Sequence, residues 1–365
     1  MSQPLSLIEI SRKALRHNVQ QFRTLVGDHQ QLVAVVKANA YGHGMEQVVP
    51  AIEDLVDAFQ IDDIEELREL RQLTNRRTLV LGYVAPDDIA EAISLDAELA
   101  VFDTERLPLL KGARVHLKID ALLGRLGIRV EALPAFLEEL RRHPSIHLAG
   151  VYGHFANIED TEDTSHAIAQ ISEFEDAMSL IRAAGFSDLV THMSATSGIL
   201  RVEGTESNRG LVRPGIGLYG LYPSDHLAKE FAELDLRPAL TWKTRLAQVK
   251  LLPAGHPVGY GLSYVTDRPT QIGVVPQGYS DGLPRSLSNS GTMFVNGVPC
   301  PIIGRVAMNM CMLDLSNCTE AKAGDEVIII GPSISAEKVA DDSQTINYEI
   351  VSRISPKLPR YLIDF

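Results

Sequence analysis

Residues 32–44 read LVAVVKANAYGHG. Five valine-rich apolar residues make a short run suited to a strand buried on both faces. The run stops at Lys37, and Tyr41-Gly-His-Gly44 follows. Working outward, the same grammar recurs. Apolar runs at Leu32–Lys37, Ala58–Ile61, Thr78–Val84, Glu98–Asp103, Arg114–Asp120, His147–Phe155, Leu189–Ser194 and Leu211–Gly220 are each followed by a polar or amphipathic stretch. Asp62–Leu73, Val130–His143 and Thr164–Ala184 space their apolar residues helically, and the last runs into Gly185, a suitable residue to end a helix. Eight strand–helix units in about 220 residues predict an α/β fold, an N-terminal (β/α)8 TIM-like barrel, in preference to an open doubly wound sheet.

The texture changes beyond about residue 235. Thr241–Leu252, Thr270–Pro276, Thr292–Val298, Cys311–Leu315 and Asp325–Gly331 read as strands separated by Gly and Pro clusters, and helical periodicity is mostly absent. The expected division is a barrel over 1–235 and a mainly β domain over 236–365.

Composition narrows the function. The chain has 365 residues, 45% of them hydrophobic, enough for two cores. A net charge of −13 with no dense Lys/Arg run argues against nucleic acid as a partner. The three cysteines, Cys300, Cys311 and Cys318, form no Cys-x-x-Cys, so no metal site is expected and reduced thiols in a cytoplasmic protein fit best. The N-terminal stretch Met1–Ile10 lacks a basic, apolar leader, and no apolar run approaches the length of a membrane span. Neither export nor membrane insertion is expected.

In a barrel of this kind, functional groups sit where strands end. Those ends carry Lys37, Lys118, His154, His192, Ser194, Thr196 and Arg213. An amine ending an apolar strand should be partly desolvated, which lowers its pKa and exposes the neutral nucleophile that forms Schiff bases. A lysine snorkelling outward is the plain alternative. Glycines after Lys37 would let the backbone approach a ligand, and Tyr41 would bring a hydroxyl to the same rim.

Val36–Gly44 resembles the pyridoxal 5'-phosphate (PLP) attachment segment of alanine racemases. Further blocks match that family in order: Lys118-Ile-Asp with Gly124-Arg125-Leu-Gly127, Gly153-His154-Phe-Ala, Arg213-Pro-Gly-Ile-Gly-Leu-Tyr-Gly220, Gly259-Tyr260-Gly with Tyr264, Gly278-Tyr279-Ser-Asp-Gly282, Gly304-Arg305-Val-Ala-Met308 and Thr345-Ile-Asn-Tyr348-Glu349. The resemblance implies a racemase interconverting L- and D-alanine, such as supplies D-alanine to peptidoglycan. Lys37 would hold PLP and act as one base. Tyr260, donated across a homodimer interface into a composite active site, would act as the other. It further implies Arg213 facing the pyridine nitrogen, and a phosphate held by backbone N–H of Gly215 and Ile216 and by hydroxyls of Tyr41, Thr196 and Tyr348. His154 would lie near the ring. Arg125 and the backbone N–H of Met308 would bind the substrate carboxylate, and Lys118 matches a position carbamylated in some members.

Arginine stays protonated and only donates, so Arg213 would make the ring a weaker electron sink, a bias suited to racemisation. The chain departs from the family at Ala121-Leu122-Leu123, at Ala195-Thr196 and at Asn309, where aspartate is usual. Alternatives are a broader racemase acting on serine or another small amino acid, a decarboxylase on the same architecture, and a non-catalytic PLP-binding protein. Tyr260 and Arg213 argue against the decarboxylase, and the β domain against the last.

Overall fold

The computed structural model describes residues 4–202 and 210–364. The first three residues of the N-terminal stretch read above therefore lie outside the described residues. The strands, in chain order, are β1 (Leu7–Ser11), β2 (Gln31–Val35), β3 (Ala58–Ile61), β4 (Thr78–Val80), β5 (Ala97–Val101), β6 (Arg114–Lys118), β7 (His147–Tyr152), β8 (Val190–His192) and β9 (Leu211–Val212). They continue with β10 (Leu240–Arg245), β11 (Gln248–Leu252), β12 (Thr270–Val275), β13 (Thr292–Val295), β14 (Val298–Ile303), β15 (Cys311–Asp314), β16 (Glu326–Ile330) and β17 (Arg360–Ile363).

Among the described residues, β2 to β9 form one eight-stranded parallel sheet in the order β8-β7-β6-β5-β4-β3-β2-β9. A bridge between Thr191 and Gly210, and the hydrogen bond from Arg213 N to Ser194 O at 3.0 Å, bring its two ends together into a nearly closed barrel. Strands β3, β4 and β5 are buried at every residue. That is why their sequences are mostly apolar, with Gln60, Thr78 and Glu98 as the polar exceptions: both faces are covered. The helices follow the expected positions closely. Ile64–Arg71 starts at Asp63, whose side chain caps Glu66 N; Leu133–Arg141 is preceded by a short 3-10 turn; Ser165–Ala183 ends before Gly185, at φ +87°.

Several strands are shorter than their apolar runs. Strand β9 stops at Val212 because Pro214 has no N–H for the ladder, and a 3-10 turn over Ile216–Tyr219 takes over.

The second sheet is mainly antiparallel, in the order β11-β12-β15-β14-β13-β16-β10-β1-β17. Its strands alternate buried and half-buried residues, as in β10, β13 and β15. Two expectations are corrected here. Thr241–Leu252 is two strands, β10 and β11, which lie far apart in the sheet. Thr292–Val298 is the start of a hairpin, β13–β14, turning at Asn296 (φ +50°) and Gly297 (φ +80°). The chain divides into two compact units. The barrel unit holds Leu15–Ala38 and Val49–Arg237; the other holds the residues up to Ala14, Asn39–Val48, and everything from Pro238. The chain thus passes between units more than once, where the sequence reading drew one boundary at 235/236. Strand β1 joins the second sheet because Leu7–Ile10 pairs β10 antiparallel, while Ile8–Ser11 pairs β17 parallel. Buried Trp242 anchors that unit through Gln277, and Gln277 reaches Ser6 at 2.8 Å. Among the described residues no helix is long and apolar enough to cross a membrane.

Candidate active site

Parallel strands all end on the same rim, so the topology gathers the strand-end residues of β2, β6, β7, β8 and β9. Lys37 leaves β2 and is half-exposed, with Nζ 3.2 Å from Asp62 Oδ1. The desolvation expected of it is therefore only partial. Asp62 is placed by Glu66, which accepts from Asp62 N at 2.8 Å and from Ala38 N at 2.5 Å. Burial pushes the Glu66 carboxyl pKa up against those two bonds.

After Lys37 the backbone does something the sequence did not announce. Ala38, Asn39, Ala40 and Tyr41 all have φ of +52 to +53°, one turn of left-handed helix. Each such residue costs roughly 1–2 kcal/mol, so strain of this kind marks a position held for a purpose. Asn39 Oδ1 accepts from Met45 N at 2.8 Å, and Tyr41 O accepts from His43 Nδ1 at 3.0 Å. The turn ends at Gly42, whose φ is +78° and where a Cβ would lie 1.8 Å from Val351 O. The close approach that the glycine permits is thus to the backbone of the helix Asn347–Ser352. That helix carries Tyr348, whose ring centroid is 6.2 Å from that of Tyr41.

Inside the barrel, the register sets Lys118, Tyr152 and His192 side by side on β6, β7 and β8. Lys118 is buried, its Nζ has no hydrogen-bond partner, and it sits 4.8 Å from the centre of the Tyr152 ring. Burial, then Arg213 and Arg125, drives its pKa well down, which favours the neutral amine. Arg213 is buried, its pKa lowered by burial to about 10, and it donates to Gly153 O and Met193 O, each at 3.2 Å. His154 is half-buried; burial, then Arg213, Lys118, Arg125 and Lys37, holds it neutral. Arg213, Arg125 and Lys37 converging on one imidazole make a positive mouth in an acidic protein, the setting for an anionic ligand. Thr196 Oγ1 accepts from Gly215 N at 3.0 Å and Gly217 N at 3.3 Å, which ties the β8 and β9 loops together beside Ile216. This donor set fits a phosphorylated aromatic aldehyde: an amine to condense with it, a guanidinium, a neutral imidazole, and N–H and hydroxyl groups at the loop where such barrels hold phosphate.

The remaining site residues lie elsewhere. Arg125 is exposed, on a turn that Asp120 holds by accepting from Leu123 N and Gly124 N at 3.3 and 2.8 Å. Leu122 in this turn is left-handed, at φ +55°. In the second unit Tyr260 is exposed between Gly259 and Gly261, both at φ +70°, and a Cβ on Gly261 would strike the Arg305 guanidinium at 2.6 Å. Met308 is exposed on a turn whose carbonyl accepts from Ser280 N and Ser280 Oγ at 3.0 and 2.9 Å. Asn309 Nδ2 donates to the same hydroxyl at 2.8 Å. An aspartate could not donate there, so asparagine suits the turn. Sequence reading missed Asp62, Glu66 and Tyr152. The first two carried a signal, an acid cluster opening the helix that follows β3.

A parallel barrel with an amine-bearing strand end, followed by a mainly β unit, defines a class of two-part barrel enzymes. The comparisons are specific within it. Residues 10–223 match the family model for the alanine racemase N-terminal domain, and residues 239–362 the model for its C-terminal domain. The alanine racemase of Leptospira interrogans serovar Lai is 36% identical, covering 98% of this chain and 96% of its own. That of Syntrophobacter fumaroxidans is 38% identical, covering 96% and 95%. The structure of alanine racemase from Bacillus anthracis with bound L-Ala-P superposes with a TM-score of 0.93 at 33% identity, covering 100% of this chain and 96% of that one. The chain belongs to the alanine racemase family.

Proposed function

We propose that this protein is a PLP-dependent racemase that interconverts L- and D-alanine by a two-base mechanism, working as a cytoplasmic homodimer with composite sites. The observation that carries the reading is the convergence of Lys37, Arg213, His154 and Thr196 on one barrel rim, in a chain related to alanine racemases over both units. Bound through the Lys37 amine, PLP supplies an electron-withdrawing ring that acidifies the α-proton of an amino acid. Lys37 then serves as the base on one face, and Tyr260 from a second copy as the base on the other; inversion needs both, one to remove a proton and one to return it. Arg213 would donate to the ring nitrogen while keeping its own proton. Gly215 and Ile216 N–H and the hydroxyls of Tyr41, Thr196 and Tyr348 hold the phosphate. Arg125 and Met308 N–H orient the substrate carboxylate. Lys118, whose pKa burial lowers and whose Nζ has no hydrogen-bond partner, is poised to take up carbon dioxide as the free amine: its nitrogen bonds the carbon, a proton leaves to water, and the resulting carbamate is an anion facing Arg125.

The test is borohydride reduction of the PLP-loaded protein with peptide mapping, alongside racemisation assayed on a panel of small amino acids. Label on Lys37 and turnover of alanine above serine are expected. Label on another lysine, or carbon dioxide release from the amino acid, overturns the reading.

A further inference from the structure

Behind Arg213 runs a line of buried polar side chains for which the chemistry above has no use. Glu98 lies in β5, His116 in β6 and His192 in β8, all buried. They form an unbroken chain. Arg213 Nη1 donates to His192 Nδ1. His192 Nε2 is 2.8 Å from His116 Nδ1, and His116 Nε2 is 2.7 Å from Glu98 Oε2. Arg77 donates to Glu98 through Nε and Nη2 at 2.9 and 2.7 Å, and Arg114 through Nε at 3.0 Å.

The two ends dictate every proton between them. A guanidinium only donates and a carboxylate only accepts. His192 must therefore accept at Nδ1 and carry its proton on Nε2; it donates to His116 Nδ1, and His116 Nε2–H donates to Glu98. Both imidazoles are neutral. Burial, then Arg213, His116, Lys118 and Arg77, drives the His192 pKa well down; burial also lowers that of His116, against the pull of Glu98 and with Arg77 and Arg213. The barrel is packed around this chain. The Tyr152 ring stacks on His192 at 5.2 Å and 8°. A Cβ on Gly150 would lie 2.5 Å from His116 Nδ1, and Gly150 has no left-handed φ, so its missing side chain makes room for the ring.

We propose that Glu98, His116 and His192 are positioning residues that hold Arg213 as an oriented, charged donor, with Glu98 its counter-charge relayed through two neutral imidazoles. Among the described residues Arg213 has no carboxylate partner of its own, while Lys118 and Arg125 stand near it. A buried cation in that position needs compensation. The chain delivers it without placing an acid directly against Arg213. The inference rests on Arg213 being the group that faces the cofactor.

Full-length protein labelled with 15N at histidine and arginine tests it, first with PLP removed. His116 and His192 are expected as neutral Nε2–H tautomers throughout the neutral pH range. Glu98→Gln removes the charge at constant size; it should shift the His116, His192 and Arg213 side-chain resonances. With PLP restored, kcat should fall about tenfold while KM moves less than about twofold. Gly150→Ala displaces His116 without replacing any titratable group and should reproduce both changes, and it serves as the test if Glu98→Gln does not fold. Glu98→Asp keeps the charge and should recover part of kcat. A proton on His192 Nδ1 in the wild-type protein overturns the proposal. So do unchanged His192 and Arg213 resonances in a folded Glu98→Gln or Gly150→Ala variant. The cofactor-free spectra do not depend on what Arg213 faces. Failure of that assignment would instead appear as Arg213→Lys with unaltered cofactor absorbance and kcat.

Discussion

A single methyl group at Gly42 should destabilise this protein more than the same group at Gly255. Both glycines have φ +78° and both belong to the unit built on the second sheet. A Cβ on Gly255 meets nothing within 4 Å, whereas one on Gly42 lies 1.8 Å from Val351 O, 2.7 Å from Val351 C and 3.3 Å from Ser352 Cα. Left-handed alanine costs roughly 1–2 kcal/mol, and the stiffer unfolded chain returns about 0.4–1 kcal/mol, so Gly255→Ala should cost at most about 1.5 kcal/mol. At Gly42 the obstacle is helix backbone, which cannot rotate aside, and overpacking adds about 1–3 kcal/mol or more. At about 2–4 °C per kcal/mol, the Gly42 variant should melt roughly 2–12 °C below the Gly255 variant. Circular dichroism of both, without cofactor, measures the difference. Because the struck helix carries Tyr348, which faces Tyr41, PLP affinity should fall for Gly42→Ala and hold for Gly255→Ala. Equal melting temperatures would refute the argument, since only the collision distinguishes the two sites.

Three further outcomes are expected. Mixing inactive Lys37→Ala and Tyr260→Phe proteins should restore activity, because a mixed dimer with sites shared between subunits holds one doubly damaged site and one intact site; no recovery, with subunit exchange shown independently, would place both bases in one chain. Lys118 should carry a carbamate in crystals grown with bicarbonate, and Lys118→Gln should lower kcat and weaken substrate binding through Arg125; a free amine in such crystals would contradict this. His43, which is buried and lowered to about 4 by burial and by Arg360, is neutral when folded and ordinary, near ~6.5, when unfolded. The folded protein then binds fewer protons between those values, so its stabilising contribution is complete above ~6.5 and is lost as pH falls toward 4, by up to about 3 kcal/mol. Urea midpoints measured down that range should drop less steeply for His43→Asn than for the parent protein.

Much of the barrel was legible in the sequence because a strand covered on both faces is largely apolar, and such runs stand out. The site was legible where a strand end coincided with a reactive residue, as at Lys37, His154 and Arg213. Asp62 was visible only as an acid opening a helix, since its pairing with Lys37 arises from a neighbouring strand. The hairpin at Asn296-Gly297 had a plain local signal that a continuous apolar reading overran. The break between β10 and β11 had almost none, because both halves are strand-like and only the sheet assigns them to different places.

By itself, then, the sequence determined what local chemistry controls: alternation of strand and helix, the change of texture near residue 235, the helix ends at Asp63 and Gly185, and the motifs that place the chain in its family. The tertiary structure decided what depends on residues distant in the chain. It drew β1 into the second sheet through backbone pairing with β10 and β17, which no side-chain pattern encodes. It wound Ala38–Tyr41 left-handed, against the preference of those residues, because Gly42 must pass beneath Val351. And it aligned Glu98, His116 and His192 behind Arg213. They come from three different strands, and only the register of four parallel strands makes them one line.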